Sequence, residues 1–161
     1  MSGAAVHSVA RIRQSGSFPL DLLPAEAFKL FTAAGERLWV PGWAPAILGP
    51  LPQHPGLVFT TGTGADFTIW TVIDSDPAAG HVRYSRVTPG SRAGIVTVQV
   101  AAEAAGTRVE VAYDLTALSP EGETALQALA ADRFAEMMRE WQRLATAMLA
   151  EGRPDLAALV V

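Results

Sequence analysis

An arginine and a tyrosine share one face of a predicted strand near the middle of the chain. Residues Val82 to Val87 have the composition of a short strand, and alternation places Tyr84 and Arg86 on the same side. If that side is buried, the Arg86 guanidinium must pair with an acid or meet an anionic ligand, because an isolated charge is costly to bury. The alternative is an exposed arginine at the strand end, which is the commoner position for this residue type.

The preceding strand adds a second set of polar candidates. Its alternation places Trp70 on the same side as Thr68 and Asp74. An acid, a tyrosine and an arginine inside one pocket would support proton-transfer chemistry, so Asp74, Arg86 and Tyr113 in contact would favour an enzyme. A hydroxyl such as that of Thr68 could instead only orient the polar end of a bound molecule.

Large apolar side chains form the third group of candidates. The chain has four tryptophans, and Trp39 and Trp43 lie in a segment rich in proline and glycine, where a cavity mouth and ordinary loop packing are equally open. The large apolar side chains of the C-terminal helix follow a helical stripe, where core packing is commoner than cavity lining. The residues predicted to line a ligand site are Trp39, Trp43, Phe59, Trp70, Tyr84, Arg86, Tyr113, Phe134, Met137, Met138 and Trp141.

Several other chemistries lack the residues they need. The chain contains no cysteine, which excludes thiolate ligands and disulfides, and His7, His54 and His81 are far apart in sequence. Gly62-Thr63-Gly64 lacks the third glycine of a dinucleotide fingerprint, and no Gly-x-Ser-x-Gly elbow is present. We therefore predict neither a metal site nor a cofactor.

Composition limits the class of protein and its partners. Of 161 residues, 50% are hydrophobic and only 17% are charged, which excludes a disordered chain. No apolar run approaches the ~20 residues of a membrane span, and no secretory signal is visible, so we predict a cytoplasmic protein. The net charge is −4 and the twelve basic residues are scattered, which argues against a nucleic-acid partner. We expect one domain, residues 1–161 with an ordered core of about 6–153, as a monomer or a homodimer.

The first half of the chain predicts one strand, two short helices and an irregular loop. A half-buried strand is expected from Val6 to Phe18, followed by a proline-started helix from Leu23 to Gly35 and a helical turn from Glu36 to Trp39. The prolines and glycines between Pro41 and Gly56 predict a loop without regular structure.

The second half predicts an antiparallel meander and one long helix. Short turn sequences separate the strands, and a parallel connection would need about a dozen residues or more. One continuous amphipathic helix of about thirty residues, roughly 45 Å long, is expected from Ser119 to Gly152. The predicted strands of the meander are Leu57 to Thr61, Phe67 to Ile73, Val82 to Val87, Ile95 to Ala102 and Thr107 to Leu115.

This element order resembles the START-like or SRPBCC superfamily, and within it the polyketide cyclase/dehydrase and lipid-transport branch. The likeness covers roughly residues 6–153. The similar segments are Phe18 to Phe28, the loop with Trp39 and Trp43, Trp70-Thr71-Val72 before Asp76-Pro77, Gly106-Thr107-Arg108-Val109, and Glu140-Trp141.

The resemblance implies an α+β helix-grip fold, in which a curved antiparallel sheet of six or seven strands wraps around the long C-terminal helix, with two short helices after the first strand. It also implies a cavity for a small hydrophobic molecule such as a lipid, a polyketide or a quinone-like compound. Two alternatives stay open: a polyketide cyclase/dehydratase-like enzyme acting in the same cavity, and a co-chaperone-like interaction protein that uses an exposed sheet face.

Overall fold

Seven strands form one antiparallel sheet whose concave face is covered by helices. The computed structural model describes residues 3–5, 7, 9–152 and 154–161. The helices are α1 (Pro24–Lys29), α2 (Pro120–Gln127) and α3 (Ala131–Gly152), with 3-10 turns at Gly35–Leu38 and Gly64–Asp66. The strands are β1 (Arg11–Leu20), β2 (Ala46–Leu48), β3 (Val58–Thr61), β4 (Thr68–Asp76), β5 (His81–Thr88), β6 (Arg92–Glu103) and β7 (Gly106–Ala117).

The sheet order is β1-β7-β6-β5-β4-β3-β2, and all of its pairings are antiparallel. This arrangement confirms the predicted helix-grip fold with its meander, and the number of strands is seven. Alternation decides which residues enter the core: Val96, Val98 and Val100 of β6 are buried, as are Val109 and Val111 of β7. The predicted start of the first strand at Val6 lies outside the described residues, and β1 begins at Arg11.

The predicted single long helix is interrupted. The Ser119 hydroxyl caps α2 by accepting a 3.0 Å hydrogen bond from the Gly122 N–H, as the sequence indicates. The chain then turns after Gln127, and α3 has 22 residues, or roughly 33 Å. Leu126 and Phe134 are both almost fully buried, although eight residues of continuous helix would rotate them about 80° apart. The interruption allows both side chains to face the sheet.

Two local features depart from the sequence prediction. The loop expected to be irregular contains β2, a three-residue edge strand that pairs with β3 between the breakers Pro45 and Gly49. In β4, the pairing register shifts between Val72 and Asp74, and such a bulge turns the following side chains over. Asp74 is therefore exposed and forms an ion pair with Arg83, with 3.2 Å between Oδ2 and Nη1.

The segment after α3 packs back onto the domain. Leu156 is buried, and the Lys29 ammonium donates hydrogen bonds to the backbone carbonyls of Leu156, Ala157 and Leu159 at 2.6, 3.1 and 2.8 Å. The packed chain thus continues beyond 153, the position expected as the end of the ordered core, and Arg153 itself lies outside the described residues. In the part of the chain that the structure describes, no helix is both long and apolar enough to cross a membrane.

Helix α3 approaches the sheet closely at Gly16 in β1. A Cβ atom added at this glycine would lie 2.7 Å from Met138 Cγ, and Met138 is itself 3% exposed. A close approach of this kind is a recurring reason for glycine inside a strand, where it is otherwise unfavourable.

We expect Gly16→Ala to lower the free energy of unfolding by about 1 to 3 kcal/mol, because the added methyl group overpacks the contact with α3. Urea denaturation measures this loss. The exposed neighbour offers the matched control Ser15→Ala, which should change stability by less than about 0.5 kcal/mol. In a Met138→Ala background the penalty at Gly16 should shrink, and an equal penalty in both backgrounds would contradict the proposed contact.

Candidate functional site

A cavity of about 130 Å³ lies between the concave face of the sheet and α3. Its wall comes from three parts of the chain that are distant in sequence: strands β3 to β7, the segment that follows α1, and α3. Most of the lining is aromatic or aliphatic, which is typical of sites for apolar molecules. The lining residues are Thr32, Ala33, Glu36, Val40, Trp43, Phe59, Trp70, Tyr84, Arg86, Val96, Val98, Tyr113 and Trp141.

Arg86 points into this cavity, as the first of the two sequence interpretations required. Its guanidinium carbon lies 5.1 Å from the centroid of the Trp70 ring and 5.6 Å from that of Tyr113, so two π-faces attract the charge. Its Nε atom is buried and has no hydrogen-bond partner in the described part of the chain. No described carboxylate lies within 4.0 Å of the guanidinium to form an ion pair.

Glu36 brings a carboxyl group to the same cavity. It is half-buried, and among the described residues its carboxylate has neither a hydrogen-bond donor nor an ion-pair partner within 4.0 Å. Removal from water raises the pKa of Glu36 to about 8, and the positive charge of Arg86 offsets part of this rise. At neutral pH Glu36 is therefore mostly uncharged and provides little negative charge to the guanidinium of Arg86 in the same cavity.

The two tyrosines of the cavity differ in what their hydroxyls can do. The Tyr84 hydroxyl donates a hydrogen bond to the Phe31 carbonyl at 2.7 Å and accepts one from Nε2 of Gln53 at 2.8 Å. Its hydrogen bonds are therefore used within the protein. Burial raises the pKa of Tyr113, while Arg86 lowers it and Glu36 raises it further. Arg86 lies 5.6 Å from the centroid of the Tyr113 ring, and Glu36 lines the same cavity.

A second arginine strengthens the positive potential at this end of the sheet. Arg92 begins β6 on the same side as Val96, and its Nε is also buried without a partner in the described part of the chain. Burial lowers the pKa of Arg92, the charge of Arg86 lowers it further, and Asp66 acts in the opposite direction. Two guanidinium groups thus interact unfavourably in a region that an anion would neutralise.

Seven of the eleven predicted site residues line the cavity: Trp43, Phe59, Trp70, Tyr84, Arg86, Tyr113 and Trp141. The other four pack elsewhere in the core. Trp39 donates its indole N–H to the Leu30 carbonyl at 2.7 Å, and the Phe134 and Tyr113 rings pack in a T-shaped arrangement with their centroids 5.4 Å apart. Met138 contacts β1, and Met137 is partly buried beside it. The Thr68 hydroxyl is hydrogen-bonded to the Thr88 hydroxyl and is therefore not available to a ligand.

The main candidate that the sequence interpretation missed is Glu36, whereas Asp74, the acid it considered, faces solvent. A signal for Glu36 was present in the sequence. Glu36, Val40 and Trp43 are spaced by four and three residues, the spacing of one helical face, and all three line the cavity. Extending the predicted turn by one helical repeat would have placed the acid beside Trp43.

Comparison with known proteins adds evidence on the fold. No protein-family model matches the sequence, and no curated protein matches it. Among solved structures, an uncharacterised protein from Rhizobium leguminosarum superposes with a TM-score of 0.65 at 13% identity, covering 91% of this chain and 99% of the other. Ara h 8.0201 gives 0.61 at 13% identity, covering 88% and 99%.

An enzyme is also among the similar structures. A point mutant of norcoclaurine synthase from Thalictrum flavum, in complex with a transition-state analogue, gives a TM-score of 0.62 at 10% identity, covering 92% of this chain and 100% of the other. At these low identities the likeness is one of fold. The chain therefore has the helix-grip fold of the Bet v 1-like proteins.

Proposed function

We propose that this protein binds a small hydrophobic molecule carrying an anionic group, with the cavity between the sheet and α3 as its site. The observation that carries the proposal is the Arg86 guanidinium, which lines the cavity beside the Trp70 and Tyr113 rings and has no described carboxylate within 4.0 Å. A partly buried cation in an apolar wall is costly unless a counter-charge reaches it. Because Glu36 is mostly neutral at pH 7, a bound anion would supply that charge.

The size of the cavity favours a compact ligand. An engineered apolar cavity of about 150 Å³ in another protein binds benzene, and the present cavity encloses about 130 Å³. At this volume the cavity accommodates little more than one aromatic ring, so the anionic group of the ligand would lie at the wall beside Arg86. A lipid or a polyketide chain would require displacement of α3 or of the segment around Trp43.

The resemblance to the polyketide cyclase/dehydrase and lipid-transport branch also supports ligand binding, as does a similar structure in complex with a transition-state analogue. An interaction protein that used only an exposed sheet face would have no need for an arginine without a carboxylate partner inside a cavity. An enzyme of the cyclase/dehydratase kind would need a titratable group beside the ligand, and Glu36 is placed to be that group.

We expect Arg86→Met to weaken binding of phenylacetate by about tenfold to a hundredfold, since a hydrogen-bonded charge contributes about 1.5 to 3 kcal/mol. Binding of phenylacetamide, its neutral analogue of the same shape, should change by less than about threefold. Isothermal titration calorimetry with both compounds measures the difference.

Arg83→Met is the matched control, because Arg83 lies on the same strand but pairs with the exposed Asp74 outside the cavity. This variant should bind both compounds like the wild type. Equal losses for the acid and the amide in Arg86→Met, or a wild-type protein that binds neither compound, would overturn the proposal.

Affinity for phenylacetate should fall as the pH rises through about 8. The pKa of Glu36 is raised to about 8, so the carboxyl group is neutral below that pH and above it acquires a charge that repels the bound anion. Phenylacetate stays ionised over this range. Titrations at pH 6.5 and 9.5 should differ in the wild type and agree in Glu36→Gln; a wild-type affinity that is constant with pH would contradict the assignment.

A further inference from the structure

We propose that Glu36 acts as a general acid and base, and that the site catalyses keto–enol tautomerisation of an aromatic carbonyl acid bound at Arg86. The inference rests on the proposed function, because it requires such an anion to occupy the cavity. It goes further by assigning a reaction, a substrate class and a residue that transfers the proton.

The geometry separates the two chemical roles. Glu36 reaches the cavity from the turn after α1, whereas Arg86 and Tyr113 reach it from the sheet. In the described part of the chain the carboxylate forms no ion pair with Arg86 within 4.0 Å, so neither group neutralises the other. A ligand held by the guanidinium therefore lies in the same enclosed space as a carboxylate that has no other partner.

A 2-oxo acid with an aromatic ring, such as phenylpyruvate, fits these groups. Its carboxylate and its ketone oxygen lie side by side and match the fork of hydrogen-bond donors of the Arg86 guanidinium. Its ring is compatible with the aromatic wall made by Trp43, Phe59 and Trp70. The acidic C–H bond lies between ring and ketone, where a base in the cavity could reach it.

The reaction needs no other reactant. The Glu36 carboxylate takes the proton from the carbon beside the ketone, the C–H electron pair becomes the C=C bond, and the carbonyl π electrons move to oxygen. Arg86 stabilises the resulting enolate oxygen, with Tyr113 nearby as a hydroxyl donor. Glu36, now protonated, gives the proton to that oxygen to form the enol, or returns it to carbon to restore the ketone.

The pKa of Glu36 also suits the role of a general base. A general base is most effective when its pKa is near the working pH, and the pKa of Glu36 is raised to about 8 chiefly by removal from water. The ionisable groups that face Glu36 are Arg86 and Tyr84 from β5 and Tyr113 from β7; α3 contributes the neutral Trp141. Burial raises the pKa of both tyrosines, so neither competes as a base near neutral pH.

The test is exchange of the benzylic protons of phenylpyruvate in D2O, followed by proton NMR against a protein-free sample. The wild type should accelerate exchange in proportion to protein concentration. Glu36→Gln should lose at least tenfold of that acceleration and still bind phenylacetate within about threefold of the wild type at pH 6.5, where Glu36 is neutral. Glu36→Asp should retain part of it. Glu140→Gln, at an exposed glutamate of α3, should match the wild type.

The outcomes distinguish this inference from the binding proposal. If the wild type binds phenylacetate but does not accelerate exchange, or if Glu36→Gln exchanges as fast as the wild type, Glu36 is only a pH-dependent neighbour of Arg86 and the catalytic inference fails. Loss of phenylacetate binding by the wild type would overturn both proposals. Should Glu36→Gln not fold, the wild type alone decides: exchange under saturating phenylpyruvate must rise with pH and level off above a pKa higher than about 8, because the bound anion disfavours ionisation of Glu36.

Discussion

One long helix, α3, packs on the concave face of a seven-stranded sheet that is wider than the helix. Most of the structure follows from this difference in width. Strands spaced by about 4.8 Å give a sheet roughly 29 Å across, whereas a helix with its side chains is about 10 to 12 Å wide. Helix α3 packs against β1, where Gly16 permits a close approach. The segment after α1 covers part of the remaining face, and the space left between that segment, α3 and the sheet is the cavity.

The segment after α1 is held on the sheet by hydrogen bonds as well as by apolar contacts. The indole N–H groups of Trp39 and Trp43 donate to the carbonyls of Leu30 and Ala33, and Tyr84 donates from the sheet to Phe31. The three acceptor residues follow Lys29, the last residue of α1, and each bond satisfies one of their carbonyls. These bonds also fix the segment that contains Glu36 at a set position above the sheet. Trp43 and Tyr84 therefore both line the cavity and position the acid.

Electrostatics give the cavity its chemical character. In water, Arg86 and Glu36 would be an ordinary cation and an ordinary anion. In the aromatic cavity the carboxyl group of Glu36 keeps its proton at neutral pH, so it adds no negative charge beside Arg86. As the pH rises through about 8, Glu36 ionises and offsets part of the positive charge. The proposed anion binding and proton transfer therefore depend on the same carboxyl group.

The sequence by itself determined the features that depend on local periodicity. Alternation along β5 put Arg86 on the side of Tyr84, the stripe of α3 identified its buried face, and turn residues separated the strands of the meander. The helix-grip fold itself was implied by the resemblance of this element order to a known superfamily. Only the tertiary structure decided which side chains from distant segments face each other. A bulge turned Asp74 to solvent, an interruption divided the predicted helix, and folding brought Glu36 to Arg86 and Tyr113. Periodicity is a property of neighbouring residues, whereas a site joins segments whose distance depends on register, curvature and packing.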